Sequence, residues 1–96
     1  MNKLKKAEFI LEHEEGFHAR PAGIFSKMAS KYQADIVLFK NGNEDKEYNP
    51  KSIISIMTMG ATQNDSITIQ ADGSDEEEAV NSLLELVAND FKLADK

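Results

Sequence analysis

The residues most able to do chemistry sit together near the start of the chain, in the run Gly16-Phe17-His18-Ala19-Arg20-Pro21-Ala22. A histidine follows a glycine turn, an arginine stands two residues on, and a proline lies at the opening of an amphipathic pattern. Proline is favoured in the first turn of a helix, where its missing N–H would have no partner in any case. His18 is therefore expected just before a helix N-terminus, where unpaired backbone N–H groups and the helix dipole attract anions. Arg20, the only arginine, adds a forked donor suited to phosphate. Together they suit a phosphoryl group held on an imidazole nitrogen. Plainer roles exist for both residues: a histidine can simply cap a helix, and a first-turn arginine is often a solvated surface residue.

Other chemistries find less support. With no cysteine among the 96 residues there is neither a disulfide framework nor a thiolate metal site. His13 and His18 lack the i, i+4 spacing of a helical metal pair, so no metal site and no cofactor are expected. The net charge of −6 argues against a general nucleic-acid binder, which needs a basic face. Much of the acid falls in residues 43–47 and 72–78, so the surface around His18 is expected to be less negative. Lys27, Lys31 and Lys51 are candidates for a local basic patch with Arg20. No stretch reaches the length of a membrane span, and the basic start at residues 1–6 is not followed by the apolar run of a secretory signal. The expected location is the cytoplasm, without membrane insertion.

The elements that must position His18 can be read from periodicity. Residues 7–12 alternate as a first strand, then Glu14-Glu15-Gly16 breaks it. Ala22, Phe25, Met28, Ala29 and Tyr32 recur at helical spacing, predicting a helix over 19–32 whose stripe is core. Residues 35–40 form a β-rich run, Asn41-Gly42 signals a hairpin, and the polar run 43–47 reads as a protruding, solvated turn before a short return strand near Tyr48. Pro50-Lys51-Ser52 resembles a helix start, with Ile53, Ile56 and Met57 as its apolar stripe and Gly60 as its end. Residues 65–71 alternate as a last strand. Ser74 is a candidate N-cap with Glu77 three residues on, opening a helix that buries Val80, Leu83, Leu84, Val87 and Phe91. The order β-α-β-β-α-β-α predicts an α+β open-faced sandwich: a four-stranded antiparallel sheet with three helices on one face, forming a single domain over 1–96.

On two motifs in this order, the chain resembles HPr, the histidine-containing phosphocarrier family of the bacterial phosphoenolpyruvate-dependent sugar phosphotransferase system. One is the His18 segment; the other is Lys51-Ser52-Ile53-Ile54-Ser55-Ile56-Met57-Thr58-Met59-Gly60, similar to the family's regulatory-serine segment. The resemblance implies that His18 takes phosphate on Nδ1 from phosphorylated enzyme I and passes it to enzyme IIA for sugar uptake, with Arg20 pairing the phosphoryl oxygens and the backbone amides of Ala19 and Arg20 receiving them. Such a protein is a carrier, phosphorylated and discharged in each cycle, and not a stand-alone catalyst. The resemblance also implies that Ser52, whose ordinary reading is a helix cap, is modified by HPr kinase/phosphorylase and that the modified form serves as corepressor with a catabolite control protein.

Three departures from the family's pattern stand out. Glu15, with Glu14 before it, replaces a small polar residue and opposes an incoming phosphate; the hairpin around 43–47 looks longer than usual; and Ile54 replaces a methionine or bulky residue beside the regulatory serine. The competing readings are a regulatory module acting mainly through Ser52, a carrier for a nitrogen-linked branch, and a small-molecule-sensing domain without phosphotransfer.

Overall fold

The computed structural model describes residues 4–91; the sequence readings on residues 1–3 lie outside them. Four strands and three helices follow one another as β1 (Lys5–Ile10), α1 (Ala19–Ala29), β2 (Asp35–Lys40), β3 (Asn43–Tyr48), α2 (Ile53–Met59), β4 (Ser66–Asp72) and α3 (Glu76–Ala88). The strands form one antiparallel sheet in the order β1-β4-β2-β3. Helices cover one face of it, the α+β sandwich that the element order predicts.

Alternation decides which face is buried. Ile36 and Leu38 of β2 and Ile67, Ile69 and Ala71 of β4 meet Ala22, Phe25 and Ala29 of α1 and Ala79, Val80, Leu83 and Leu86 of α3. Each large side chain removed from water there contributes about 1.5–3 kcal/mol. The helix stripes differ in part from the periodicity reading. Leu86 is buried where Leu84 and Val87 are only partly so. In α2 it is Ile56 and Met59 that pack inward, while Ile53 and Met57 stay about half exposed. At about 100° per residue Ile56 and Met59 lie about 60° apart, and the helix is turned with that pair inward, which leaves Ile53 and Met57 away from the core.

Two further corrections concern the polar segments. The run 43–47 is not a protruding turn: Asn43–Tyr48 is strand β3, an exposed edge with a register shift against β2. Lys40 pairs with Asn43, leaving Asn41 and Gly42 as a two-residue connection with φ of 53° and 75°, the left-handed pair that matches strand twist. Its charged side chains suit an edge strand, since they discourage pairing with another chain. The expected box of Ser74 and Glu77 is also replaced. Asp75 stands at the N-cap, and Glu76 reaches back to accept from the Gly73 amide at 3.0 Å.

Asp75 spends its carboxylate elsewhere, accepting from the amides of Gln33 and Ala34, both at 2.8 Å. The Gln33 amide foremost, with that of Ala34, holds this carboxyl below the usual aspartate range. Because the native value is depressed, the contact stabilises the fold fully above the ordinary value of about 4. It is lost as pH falls through the lower native value. Asp75→Asn is therefore expected to lower Tm at neutral pH and to flatten its fall on acidification; parallel Tm-against-pH curves for the two proteins would show that the contact carries no such linkage.

Candidate functional site

His18 reaches the surface because the residues before it are pinned. Leu11 is fully buried beyond the end of β1, its amide donating to the Asp65 carbonyl at 2.9 Å and its carbonyl accepting from Asn64 at 2.7 Å. The chain then turns at Glu14-Glu15-Gly16, closed by the Gly16 amide on the His13 carbonyl at 2.9 Å. Gly16 has φ of +68°, and a Cβ there would lie 2.5 Å from the Ala61 carbonyl oxygen. Only glycine fits such a close approach with a left-handed backbone. Phe17 follows, buried edge-on against Phe25 and Phe91 with ring centroids at 5.2 and 5.4 Å. An aromatic anchor one residue upstream thus fixes where His18 begins.

His18 is the N-cap of α1, with φ −81° and ψ −172°, and its carbonyl accepts from the Ala22 amide at 3.0 Å. Its side chain makes no capping bond, so the plain capping role does not hold. Pro21, placed at the opening of the helix by sequence, occupies its third position and has no N–H. Of the first three helical residues, only Ala19 and Arg20 carry an amide, and neither amide can have an intrahelical partner. Both residues are exposed. The result is a short row of two donors, the positive end of a helix, a guanidinium and an imidazole at one point of the surface.

The surroundings are more acidic than the sequence suggested. A shallow concavity of about 570 Å³ holds His18 and Arg20, and its other lining residues are Glu12, His13, Glu14, Glu15, Gln63 and Asp90. Four carboxylates therefore face one guanidinium, which overturns the expectation of a less negative surface at His18. The expected lysine patch does not form there either. Lys51 donates from Nζ to the carbonyls of Tyr32 and Ala34 at 2.7 and 2.9 Å, bracing the α1–β2 connection. Lys27 lies in the last turn of α1, nine residues and about 13 Å along the axis from His18, and Lys31 follows the helix end.

Tertiary contacts give the site members that no local pattern announced. The His13 and His18 rings lie 5.4 Å apart, and His13 packs edge-on against Phe91 at 6.0 Å. The spacing placed Phe91 in the stripe of α3, but it lies beyond the helix, in a left-handed ending that it forms with Asp90, its amide donating to the Leu86 carbonyl at 2.8 Å. This ending carries Asp90 into the concavity. The His18 Nε2 is closed to solvent and lies 3.1 Å from Glu15 Oε1, though not aligned as a hydrogen bond. That pairing was available from sequence as an i, i+3 spacing; Gln63 and Asp90, far along the chain, gave no such signal.

Ser52 is the N-cap of α2, its hydroxyl oxygen accepting from the Ser55 amide at 3.2 Å. It is half-buried, and Ile53, Ile54 and Met57 beside it leave 45, 77 and 46% of their surface exposed. The helix lies on α1, with Ile53 against Gly23. Among the described residues, no group of three or more His, Cys, Asp or Glu side chains is placed to hold a metal ion, and no helix is long and apolar enough to cross a membrane.

A family model described as the PTS HPr component phosphorylation site matches residues 5–89. The phosphocarrier protein HPr of Mycoplasma pneumoniae is 42% identical over 80 residues, which cover 83% of this chain and 89% of that protein. Among solved structures, HPr-C-His from Thermoanaerobacter tengcongensis aligns with a TM-score of 0.83 at 34% identity, covering 94% of this chain and 98% of that one. A histidine-containing phosphocarrier protein of mycoplasma aligns with a TM-score of 0.82 at 33% identity, over 94% of this chain and all of the other.

Proposed function

The chain belongs to the HPr family of phosphotransferase-system phosphocarriers, and from that premise we propose that His18 is its phosphoryl acceptor. His18 attacks with Nδ1, taking the group from phosphorylated enzyme I and giving it up to enzyme IIA. The observation that carries the reading is the uncapped His18 side chain at the N-cap of α1, beside two amides without intrahelical partners. Closure of Nε2 from solvent supports Nδ1 as the reacting nitrogen.

Transfer between nitrogens asks little covalent chemistry of the protein. The acceptor must be a neutral imidazole, and the three equatorial oxygens must be met by donors as charge shifts through the transition state. The amides of Ala19 and Arg20 and the dipole of α1 supply fixed donors, and the Arg20 guanidinium supplies a forked one. Discharge to enzyme IIA runs the same step in reverse. Incubation with enzyme I and phosphoenolpyruvate, followed by intact mass at neutral pH, tests the reading: one acid-labile phosphoryl adduct supports it, and a protein that stays unmodified refutes it.

Arg20 belongs to the transfer more than to the fold, since it is exposed and makes no core contact. Arg20→Lys keeps the charge but loses the bidentate fork, so transfer from enzyme I is expected to slow about tenfold while Tm stays within a degree or two. Equal rates for the two proteins would make Arg20 a bystander.

Ser52 carries the regulatory part of the proposal. Its phosphorylation by HPr kinase/phosphorylase places a dianion on the surface shared with the apolar residues Ile53, Ile54 and Met57. That form is the one presented to a catabolite control protein. The carrier and the regulator are two states of one chain, with the His18 site intact in both.

A further inference from the structure

We propose that Glu15 is a positioning residue for His18: its carboxylate, set on the closed Nε2 face of the ring, holds the proton on Nε2 and leaves the Nδ1 lone pair free for the phosphoryl group. The proposal deepens the carrier reading and rests on it for the transfer step.

The contact is anchored at both ends. His18 Nε2 has no solvent access and its neighbour is Glu15 Oε1 at 3.1 Å. The Glu15 backbone is tethered separately, its amide donating to His13 Nδ1 at 3.3 Å. Gly16, next along, lies so close to Ala61 that a Cβ there would come within 2.5 Å of its carbonyl oxygen. The Glu15 side chain is 70% exposed, which leaves its carboxylate free to turn into line with Nε2.

The chemistry then follows from the groups. A carboxylate has lone pairs only, so a neutral imidazole facing it must present an N–H. One ring nitrogen of neutral imidazole is a donor and the other an acceptor, so protonated Nε2 means an unprotonated Nδ1. His13 is fixed in the complementary sense, because its Nδ1 accepts from the Glu15 amide. Other charges around the ring, Glu12, Glu14, Arg20 and Asp90, act through the concavity and have no comparable contact with Nε2.

In the transfer step, the Nδ1 lone pair forms the new N–P bond as the donor's N–P bond breaks, and the donor nitrogen keeps that electron pair. The proton stays on Nε2, so the ring becomes a phosphorylated imidazolium with its positive charge facing Glu15. The same carboxylate that opposes an incoming phosphate at long range thus stabilises the product cation at contact. This accounts for a glutamate at a position where repulsion alone would exclude it.

Two readouts test the proposal on the intact protein. The ring nitrogen shifts of 15N-labelled His18, recorded where the imidazole is neutral, report the tautomer. Phosphoramidate, whose N–P bond breaks with release of ammonia, phosphorylates histidine without any partner protein. The wild type is expected to show mainly the Nε2–H form. In Glu15→Ala the Nε2–H to Nδ1–H ratio should fall about fivefold, with a similar loss in the rate of Nδ1 phosphorylation, in keeping with one charge-assisted contact at a partly exposed site. Glu15→Asp should recover part of both, and Glu14→Ala, which removes the same charge one residue away, should leave the ratio where it is. Unchanged ring shifts in Glu15→Ala, or an equal change in Glu14→Ala, would overturn the assignment. A tautomer shift in a protein whose wild type takes no phosphate from either donor upholds the Glu15 contact and overturns the carrier reading instead.

Discussion

His18→Ala is expected to abolish phosphoryl uptake from enzyme I and phosphoenolpyruvate, whereas His13→Ala keeps most of it. The two histidines lie side by side, 5.4 Å between ring centroids, so proximity to the site does not separate them. Their connections do. His13 has its Nδ1 committed to the Glu15 amide and its ring edge-on to Phe91; it is a piece of the wall. His18 stands at the helix N-terminus with no capping bond, next to the first-turn amides of Ala19 and Arg20, which have no intrahelical partners. Removing His13 deletes the Glu15 tether and part of the packing on Phe91, which predicts a rate loss of a few fold through positioning. Removing His18 deletes the nucleophile, and no nearby group replaces it. Acid-labile label persisting on His18→Ala would move the acceptor elsewhere and with it the whole site.

Phosphorylation at Ser52 is expected to slow the charging of His18 by about tenfold or more, since like charges set against each other across a docking surface cost several kcal/mol. The fold should survive the modification. Ser52 is at the N-cap of α2, where its oxygen already accepts from the Ser55 amide, and a phosphate offers the same amide more acceptors. Docking is what changes. Ser52 sits beside Ile53 and Ile54, and Ile53 rests on Gly23 of α1, the helix that begins at His18. A partner that covers His18 and this apolar surface together must take the new dianion into its footprint. Ser52→Asp, with about one charge and fewer oxygens, should show a smaller slowing. The decisive comparison is kinase-modified against unmodified protein at matched enzyme I; equal charging rates would return Ser52 to the role of a helix cap.

Much of this architecture was legible in the sequence because it rests on local signals. Period-2 and period-3.6 patterns marked the strands and the two longer helices, and Asn41-Gly42 announced the tight hairpin. The misreadings fall where charge and burial compete. β3 is polar over 43–47 and only its last residue, Tyr48, is partly buried, so its pairing with β2 rests on backbone hydrogen bonds at an edge, which leave no hydrophobic period to read. Glu76, not Glu77, closes the start of α3, because Asp75 is drawn across to the amides of Gln33 and Ala34. At the site, His18, Ala19, Arg20 and Pro21 follow one another and could be read directly. Asp90 and Gln63 arrive through the left-handed end of α3 and the turn before β4, and only the folded chain brings them near. Their arrival makes the concavity acidic, and total charge gave no hint of where the carboxylates would gather. Lys51 shows the converse: a surface cation by type, it is held in place by two backbone carbonyls.

His18 Nδ1, at the N-terminus of α1, is proposed to carry the phosphoryl group. Nitrogen and phosphorus NMR of the 15N-labelled chain after charging by enzyme I and phosphoenolpyruvate tests it most directly. A single phosphoryl group bonded to His18 Nδ1 is expected, with the proton retained on Nε2 and the His13 ring unmodified. A phosphoryl group on His18 Nε2, on His13, or on an oxygen of the chain would contradict it.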